Sequence, residues 1–221
     1  MPLLTRLVSS ACTALWVSTL LLGCSSSEVK IECPTGTVAE GNPPPLGRSQ
    51  SCVQPQPAGT KAPAVKHGPT LSWHLNGELK AETHYDQGKL HGAALTFHDN
   101  GERASRGTYE NGREVGVWET WSANRIRLSR HEYLAGKLHG VQKDYFSDGR
   151  IERRERFQND LRDGKSTIFH PSGERKLAGQ YVGGKKDGQW LEWASDGAMK
   201  EITHYDKGRR IAGPGHGRTS P

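Results

Sequence analysis

The chain has 221 residues, of which only 33% are hydrophobic, while glycine (27) and proline (12) are abundant. This composition excludes a single globule with a large buried interior and leaves either disorder or a thin, repetitive architecture. The net charge of +6 is small for this length, so it favours solubility, predicts at most weak affinity for anions and gives no indication of nucleic-acid binding.

The N-terminal segment, residues 1–23, is typical of a secretory signal peptide. Its apolar run, Leu7 to Leu22, is too short to span a bilayer comfortably. The run ends in Leu-Leu-Gly followed by Cys24, which resembles a bacterial lipobox, where the cysteine thiol is acylated and becomes the new N-terminus. A plain signal peptide with a coincidental cysteine is the alternative. We predict a lipoprotein of the cell envelope, anchored by lipid through Cys24. The resemblance to lipoproteins of double-membraned bacteria, in which a serine such as Ser25 follows the acylated cysteine, implies the outer membrane.

The next segment, residues 24–66, contains seven prolines and many small residues. This composition predicts a linker without regular secondary structure. Cys33 and Cys52 lie in it, and in an oxidising envelope compartment two thiols are expected to form one disulfide. A pair of free thiols is the alternative, and two cysteines are too few for a metal site.

From His67 onwards the sequence repeats every 24 residues, six times and in strict register. Positions within a copy are counted from zero at the residue before a recurring glycine. The position-zero residues are His67, His91, Val115, His139, Asp163 and Asp187. Position six is aromatic in every copy, position eighteen is tyrosine or phenylalanine, and Asn-Gly, Asp-Gly or similar turn residues recur near positions ten and twenty-one. Each copy therefore predicts two short strands and two turns.

Six such copies over residues 67–210 predict an all-β fold, an elongated single-layer antiparallel meander of about twelve strands with five to seven residues each. The sequence does not show whether the two aromatic columns share a face. Arg125 and Asp160 replace turn glycines and mark weak points. Residues 211–221 are expected to be a disordered tail.

The repeat is similar to the bacterial MORN-like repeat of YwqK-family proteins over residues 67–210. The last copy shows the pattern as Asp187-Gly188, Trp190, Trp193, Asp196-Gly197, Tyr205 and Gly208-Arg209. The resemblance implies a binding scaffold without assigned catalytic residues. It also implies a second hypothesis, because members of this family are often labelled antitoxins of a toxin-antitoxin system.

Histidines recur at positions zero and seven, which raises the question of metal binding. Equivalent positions of successive copies lie two strands, about 9.5 Å, apart, so they form a ladder and do not converge. No phosphate-binding loop or nucleophile motif stands out from the repeat. We therefore expect no enzyme, no catalytic residues, no metal and no cofactor.

Binding by a single-layer sheet must use exposed side chains, because no second layer encloses a pocket. Two copies alone carry tryptophan at both position three and position six, so Trp118, Trp121, Trp190 and Trp193 are the candidate contact residues, with sheet packing as the alternative. Position three varies freely, which predicts that Trp118 and Trp190 add little to stability.

Two functional hypotheses follow from these features. The first is a non-catalytic, monomeric envelope lipoprotein that acts as a binding scaffold for a protein or a glycan. The alternative is an antitoxin or immunity protein that neutralises a toxic partner by direct binding. Cations at the turns, such as Lys89 and Lys185, are expected to be solvated charges that discourage aggregation, with weak attraction to anionic lipids as the alternative.

Overall fold

The structure, a computed structural model, describes residues 31–213, and all regular elements in that range are β-strands. In chain order they are β1 (Val38–Asn42), β2 (Ser49–Val53), β3 (Lys66–Trp73), β4 (Leu79–Asp86), β5 (Lys89–Phe97), β6 (Arg103–Glu110), β7 (Arg113–Trp121), β8 (Arg127–Leu134), β9 (Lys137–Leu138), β10 (Gly140–Tyr145), β11 (Ile151–Gln158), β12 (Leu161–Phe169), β13 (Arg175–Val182), β14 (Lys185–Trp193), β15 (Met199–Asp206) and β16 (Arg209–Ile211). The predicted signal peptide, Cys24 and residues 214–221 lie outside the described range. Among residues 31–213 the structure contains no helix able to cross a membrane.

All strands belong to one open sheet in which consecutive strands pair antiparallel, except that β9 and β10 do not pair with each other. The short β9 and the longer β10 are separated by His139, and both pair with β8. The predicted single-layer antiparallel meander of two-strand repeats is therefore confirmed. Most repeat strands have eight or nine residues, longer than the predicted five to seven. Each of these strands thus offers four or five side chains to each face.

The sheet begins earlier than the repeats, because β1 and β2 form a hairpin that pairs with β3. The prediction that residues 24–66 lack regular secondary structure is therefore wrong for residues 38–53. Cys33 and Cys52 are joined by a disulfide, Cys52 is fully buried, and the bridge packs with Pro34 against Gly68 of the first copy. The hairpin is held by this small apolar contact and covers an edge that β3 would otherwise expose.

The two turn positions that lack glycine keep the conformation that glycine has elsewhere. Arg125 has φ of 64° and Asp160 has φ of 70°, both in the left-handed region that glycine adopts without strain. Arg125 also forms an ion pair with Glu102 of the preceding copy. The hydrogen bond from its guanidinium lowers the pKa of the Glu102 carboxyl. The backbone of the repeat therefore overrides the residue preference at both turns.

The strand registers show that the two aromatic columns lie on opposite faces. Thr70, at position three, pairs with Thr83, and Tyr85 follows two residues later on the same strand. Positions three, sixteen and eighteen therefore share one face, since successive side chains of a strand alternate between faces. We call it the tyrosine face, after Tyr85, Tyr109, Tyr133, Phe157, Tyr181 and Tyr205. Positions four, six and fifteen lie on the other face.

Candidate binding surface

The four tryptophans predicted as contact residues do not form one surface. Trp118 and Trp190 lie on the tyrosine face, whereas Trp121 and Trp193, three residues further along the same strands, lie on the opposite face. One flat partner cannot contact all four rings of a single-layer sheet at once. At most two of the four rings can therefore serve one face of the sheet, and their role in contacting a partner stays a prediction.

Trp190 is a packing residue and is only 2% exposed. Its ring lies edge-on between Tyr181 and Tyr205, with centroids 4.9 and 6.4 Å away, and its indole N–H donates to the backbone oxygen of Gln180 at 3.2 Å. The ammonium of Lys186 lies 4.3 Å from the ring centroid. The prediction that this ring adds little to stability conflicts with its burial.

Trp118 packs in a similar way three copies earlier, but its indole N–H is buried without a hydrogen-bond partner among residues 31–213. Its ring lies edge-on between Tyr109 and Tyr133, with the same centroid distances of 4.9 and 6.4 Å. Burial raises the pKa of both tyrosines above the ordinary value, so both phenols stay protonated at neutral pH. The three rings form an apolar stack, and Trp118 is half-buried within it.

A sequence signal for this packing existed at position sixteen. Only two copies have glycine there, Gly107 and Gly179, and each lies directly beneath the tryptophan of the next copy, Trp118 or Trp190. A large residue at position three therefore goes with a small residue at position sixteen of the preceding copy, so position three does not vary freely. Reading the two columns together would have identified a packing role.

The position-seven histidines link successive copies. In His74, His98 and His170 the Nε2–H group donates a hydrogen bond of 2.9 Å to the backbone oxygen of the residue at position six of the next copy. These imidazoles lie in a ladder along the turns, as the 24-residue spacing predicts. The described residues hold no group of three or more histidines, cysteines or carboxylates that could bind a metal ion.

The face opposite the tyrosines carries one continuous row of residues that lie directly opposite each other across twelve strands. In order from β3 to β15 the row is Leu71, Glu82, Leu95, Arg106, Glu119, Arg130, Lys143, Arg154, Thr167, Ala178, Leu191 and Ile202. The centre of the row is cationic, and its C-terminal end is uncharged. We call this side of the sheet the basic face.

Three cations follow one another in this row without an intervening acid. Arg130, Lys143 and Arg154 lie on adjacent strands β8, β10 and β11 and are direct cross-strand neighbours. Arg130 forms an ion pair with Glu132 at 2.7 Å, whereas Lys143 and Arg154 have no acidic partner within residues 31–213. Like charges placed directly opposite each other destabilise a sheet.

Glu119 and two aromatic rings hold the neighbouring arginines in place. Glu119 is 3% exposed and accepts from the Nε–H of Arg106 at 2.7 Å, and its second oxygen lies 3.1 Å from Arg127. The guanidinium of Arg106 lies 5.7 Å from the ring centroid of Trp121, and that of Arg127 lies 5.9 Å from the ring of Tyr145. Stacking and ion pairing fix these cations before any ligand arrives.

These residues define the candidate binding surface. We call Arg106, Arg127, Arg130, Lys143 and Arg154 the cation cluster. It contains five cations beside two acids, Glu119 and Glu132, and one of those acids is buried beneath it. The small net charge of the chain conceals this local concentration of cations. The prediction of at most weak anion affinity is based on net charge alone and does not consider which cations the strand pairing brings together.

The described residues thus form an open sheet of repeats with one charged face. A family profile described as the MORN repeat variant matches residues 66–87 and 90–111, which are the first two copies. This part of the chain is thus similar to MORN repeats, which are commonly binding or scaffold modules and generally non-catalytic. No curated protein matches the chain.

Proposed function

We propose that the protein is a non-catalytic binding scaffold of the cell envelope that holds an anionic partner, a protein or a glycan, on its basic face. The observation that carries this proposal is the direct opposition of Arg130, Lys143 and Arg154 across three strands. This arrangement weakens the sheet when nothing is bound. A partner that supplies the missing negative charge turns the same arrangement into a binding site.

The physical basis of binding is electrostatic complementarity on a rigid surface. Side chains mounted on paired strands hold their positions, and a row of cations on one face attracts anions over several ångströms at moderate ionic strength. Trp121 and Tyr145 lie beside the cations and add apolar contact area. The cation cluster therefore supports attraction and specificity together.

The envelope location in this proposal depends on Cys24. The resemblance to YwqK-family proteins depends on the repeats alone. An acylated Cys24 would partition the protein with membranes, and several acyl chains on one residue make the attachment stable. A Cys24→Ala form should be soluble or unprocessed after cell fractionation. Equal partitioning of both forms would remove the anchor from the proposal.

Capture from an envelope extract tests the binding role. The wild-type protein is compared with a Lys143→Gln/Arg154→Gln variant and with a control, Lys89→Gln/Lys185→Gln, which has the same net charge but loses exposed turn cations. We expect the first variant to lose the captured partner and the control to retain it. Equal capture by all three proteins would contradict binding through the basic face.

A further inference from the structure

We infer that the partner on the basic face is a linear acidic polysaccharide that carries about one carboxylate or sulfate per sugar and lies across the strands, along the cation row. This inference rests on the proposed function and names the chemical class of its partner. Three features of the cation cluster support it: the spacing of its charges, the rings beside them and the geometry of the arginines.

The spacing of the cations equals the spacing of the strands. Arg130, Lys143 and Arg154 lie on adjacent strands, so one positive charge recurs about every 4.8 Å across the sheet. A ligand that uses all three must present its negative charges at a similar interval. The chain that carries these charges must run perpendicular to the strands.

An acidic peptide matches this interval poorly. Counted along the chain, an extended peptide advances only about 3.3 Å per side chain and a polyproline helix about 3.1 Å. One pyranose residue in an extended polysaccharide advances the chain by a length close to the strand spacing. A polysaccharide with one acid per sugar therefore stays in step with Arg130, Lys143 and Arg154.

Beside the cation row runs a second row of rings and arginines. Trp121 and Tyr145 lie two residues further along β7 and β10 than Glu119 and Lys143, on the same face. Arg127 pairs with Trp121 across the strands and stacks on Tyr145. Sugar rings present apolar C–H faces that pack against aromatic side chains, so this second row can support the rings of the polysaccharide.

The arginines suit carboxylate and sulfate groups better than lysines alone would. A guanidinium donates two parallel hydrogen bonds to a planar carboxylate. Arg127 is 43% exposed at its side chain although Glu119 and Tyr145 hold it, and Arg106 is 52% exposed. Both therefore keep donors that face solvent, where the acid groups of a polysaccharide can accept.

Titration of the purified full chain with polygalacturonate oligosaccharides of increasing length, at constant low salt, tests the inference. We expect the affinity to rise with length until the oligosaccharide spans the cationic strands and then to level off. The Lys143→Gln/Arg154→Gln variant should bind at least about tenfold more weakly, because it loses two charged contacts. The Lys89→Gln/Lys185→Gln control should change by less than about twofold.

Two further probes separate this inference from the proposed function. Polyglutamate of equal charge, and vesicles that contain phosphatidylglycerol, are titrated under the same conditions. Tighter binding of either probe than of polygalacturonate would overturn the polysaccharide assignment but leave an anion-binding face. If no probe binds and envelope capture is also insensitive to the Lys143→Gln/Arg154→Gln change, the proposed function fails as well.

Discussion

The indole ring of Trp118 lies so close to Gly107 that a Cβ atom added to this glycine would overlap the six-membered ring. Gly107 is not among the residues with positive φ, so its backbone would accept any amino acid. Glycine is required there for space alone. The same relationship recurs between Trp190 and Gly179.

This relationship predicts coupled effects on stability. Gly107→Ala should lower the free energy of unfolding by about 1–3 kcal/mol, because the added methyl group displaces the ring. Trp118→Ala should lower it by about 3 kcal/mol through loss of buried area and contacts. The double variant should lose clearly less than the sum, since alanine at both positions removes the clash. Urea unfolding of the four proteins measures the coupling, and strictly additive losses would contradict it.

The disulfide should stabilise the N-terminal hairpin more than the repeats. Cys33–Cys52 closes a loop that contains all of β1 and most of β2. A bridge across such a loop contributes about 3 kcal/mol by restricting the unfolded chain. After reduction we expect faster amide hydrogen exchange in residues 38–53, with unchanged protection in β5 to β14.

The control for this experiment is a Cys33→Ser/Cys52→Ser form, which should exchange like the reduced protein. Intact-mass analysis with alkylation before and after reduction shows whether the thiols are bonded in the isolated protein. Two alkylated cysteines without reduction would refute the bridge. A uniform loss of protection across the sheet would show instead that the hairpin holds all the repeats together.

The contact between His131 and Asp144 predicts a pH dependence. His131 Nε2 lies 2.8 Å from a carboxylate oxygen of Asp144, and this hydrogen bond lowers the pKa of Asp144 below its ordinary value, against the opposing effect of burial. A carboxyl with a lowered pKa in the folded state stabilises the fold at neutral pH. This contribution is lost as the pH falls below about 4 and through the lowered pKa.

Asp144→Asn should therefore be less stable than wild type by about 1 kcal/mol at pH 6, and the difference should shrink at pH 2 to 3. Thermal unfolding at constant ionic strength measures both values. Asp99→Asn, an exposed turn residue, is the control and should show little difference at either pH. A difference for Asp144→Asn that does not depend on pH would rule out this carboxylate as the source.

The position-seven histidines should stabilise the junction between copies. His98 donates to the backbone oxygen of Trp121 in the next copy, and a hydrogen bond of this kind contributes about 0.5–1.5 kcal/mol. His98→Ala should lower the free energy of unfolding by about that amount. His91→Ala, which removes an exposed imidazole, should have almost no effect. Equal losses of unfolding free energy in the two variants would show that the hydrogen bond of His98 is not the source of the effect.

The repeat architecture could be predicted from sequence because its signals are local. Strict 24-residue spacing and the turn residues before Gly77 and Gly101 fix two strands per copy. The β1–β2 hairpin could not be predicted, because prolines dominate its surroundings and its stability comes from Cys52 and β3, which are contacts across the sheet. Regular structure there depends on pairing and not on composition.

The candidate site was missed for a related reason. Arg130, Lys143 and Arg154 occupy equivalent strand positions that are separated by 11 to 13 residues in the chain, and between them lie residues of both faces. Only the registers of β8, β10 and β11 show that they are neighbours. Tryptophans are conspicuous in a sequence, whereas a row of cations becomes visible only once bulges and pairing are known.

If the cations of the basic face serve a ligand and not the sheet, removing one of them should stabilise the unbound protein. Urea unfolding of Lys143→Gln at low and high salt tests it most directly. We expect its free energy of unfolding to lie about 0.2–1 kcal/mol above that of wild type at low salt, because repulsion from Arg130 and Arg154 is relieved. Most of this gain should be gone at 1 M salt. A variant that is less stable than wild type at low salt would contradict it, because Lys143 would then be stabilising the sheet.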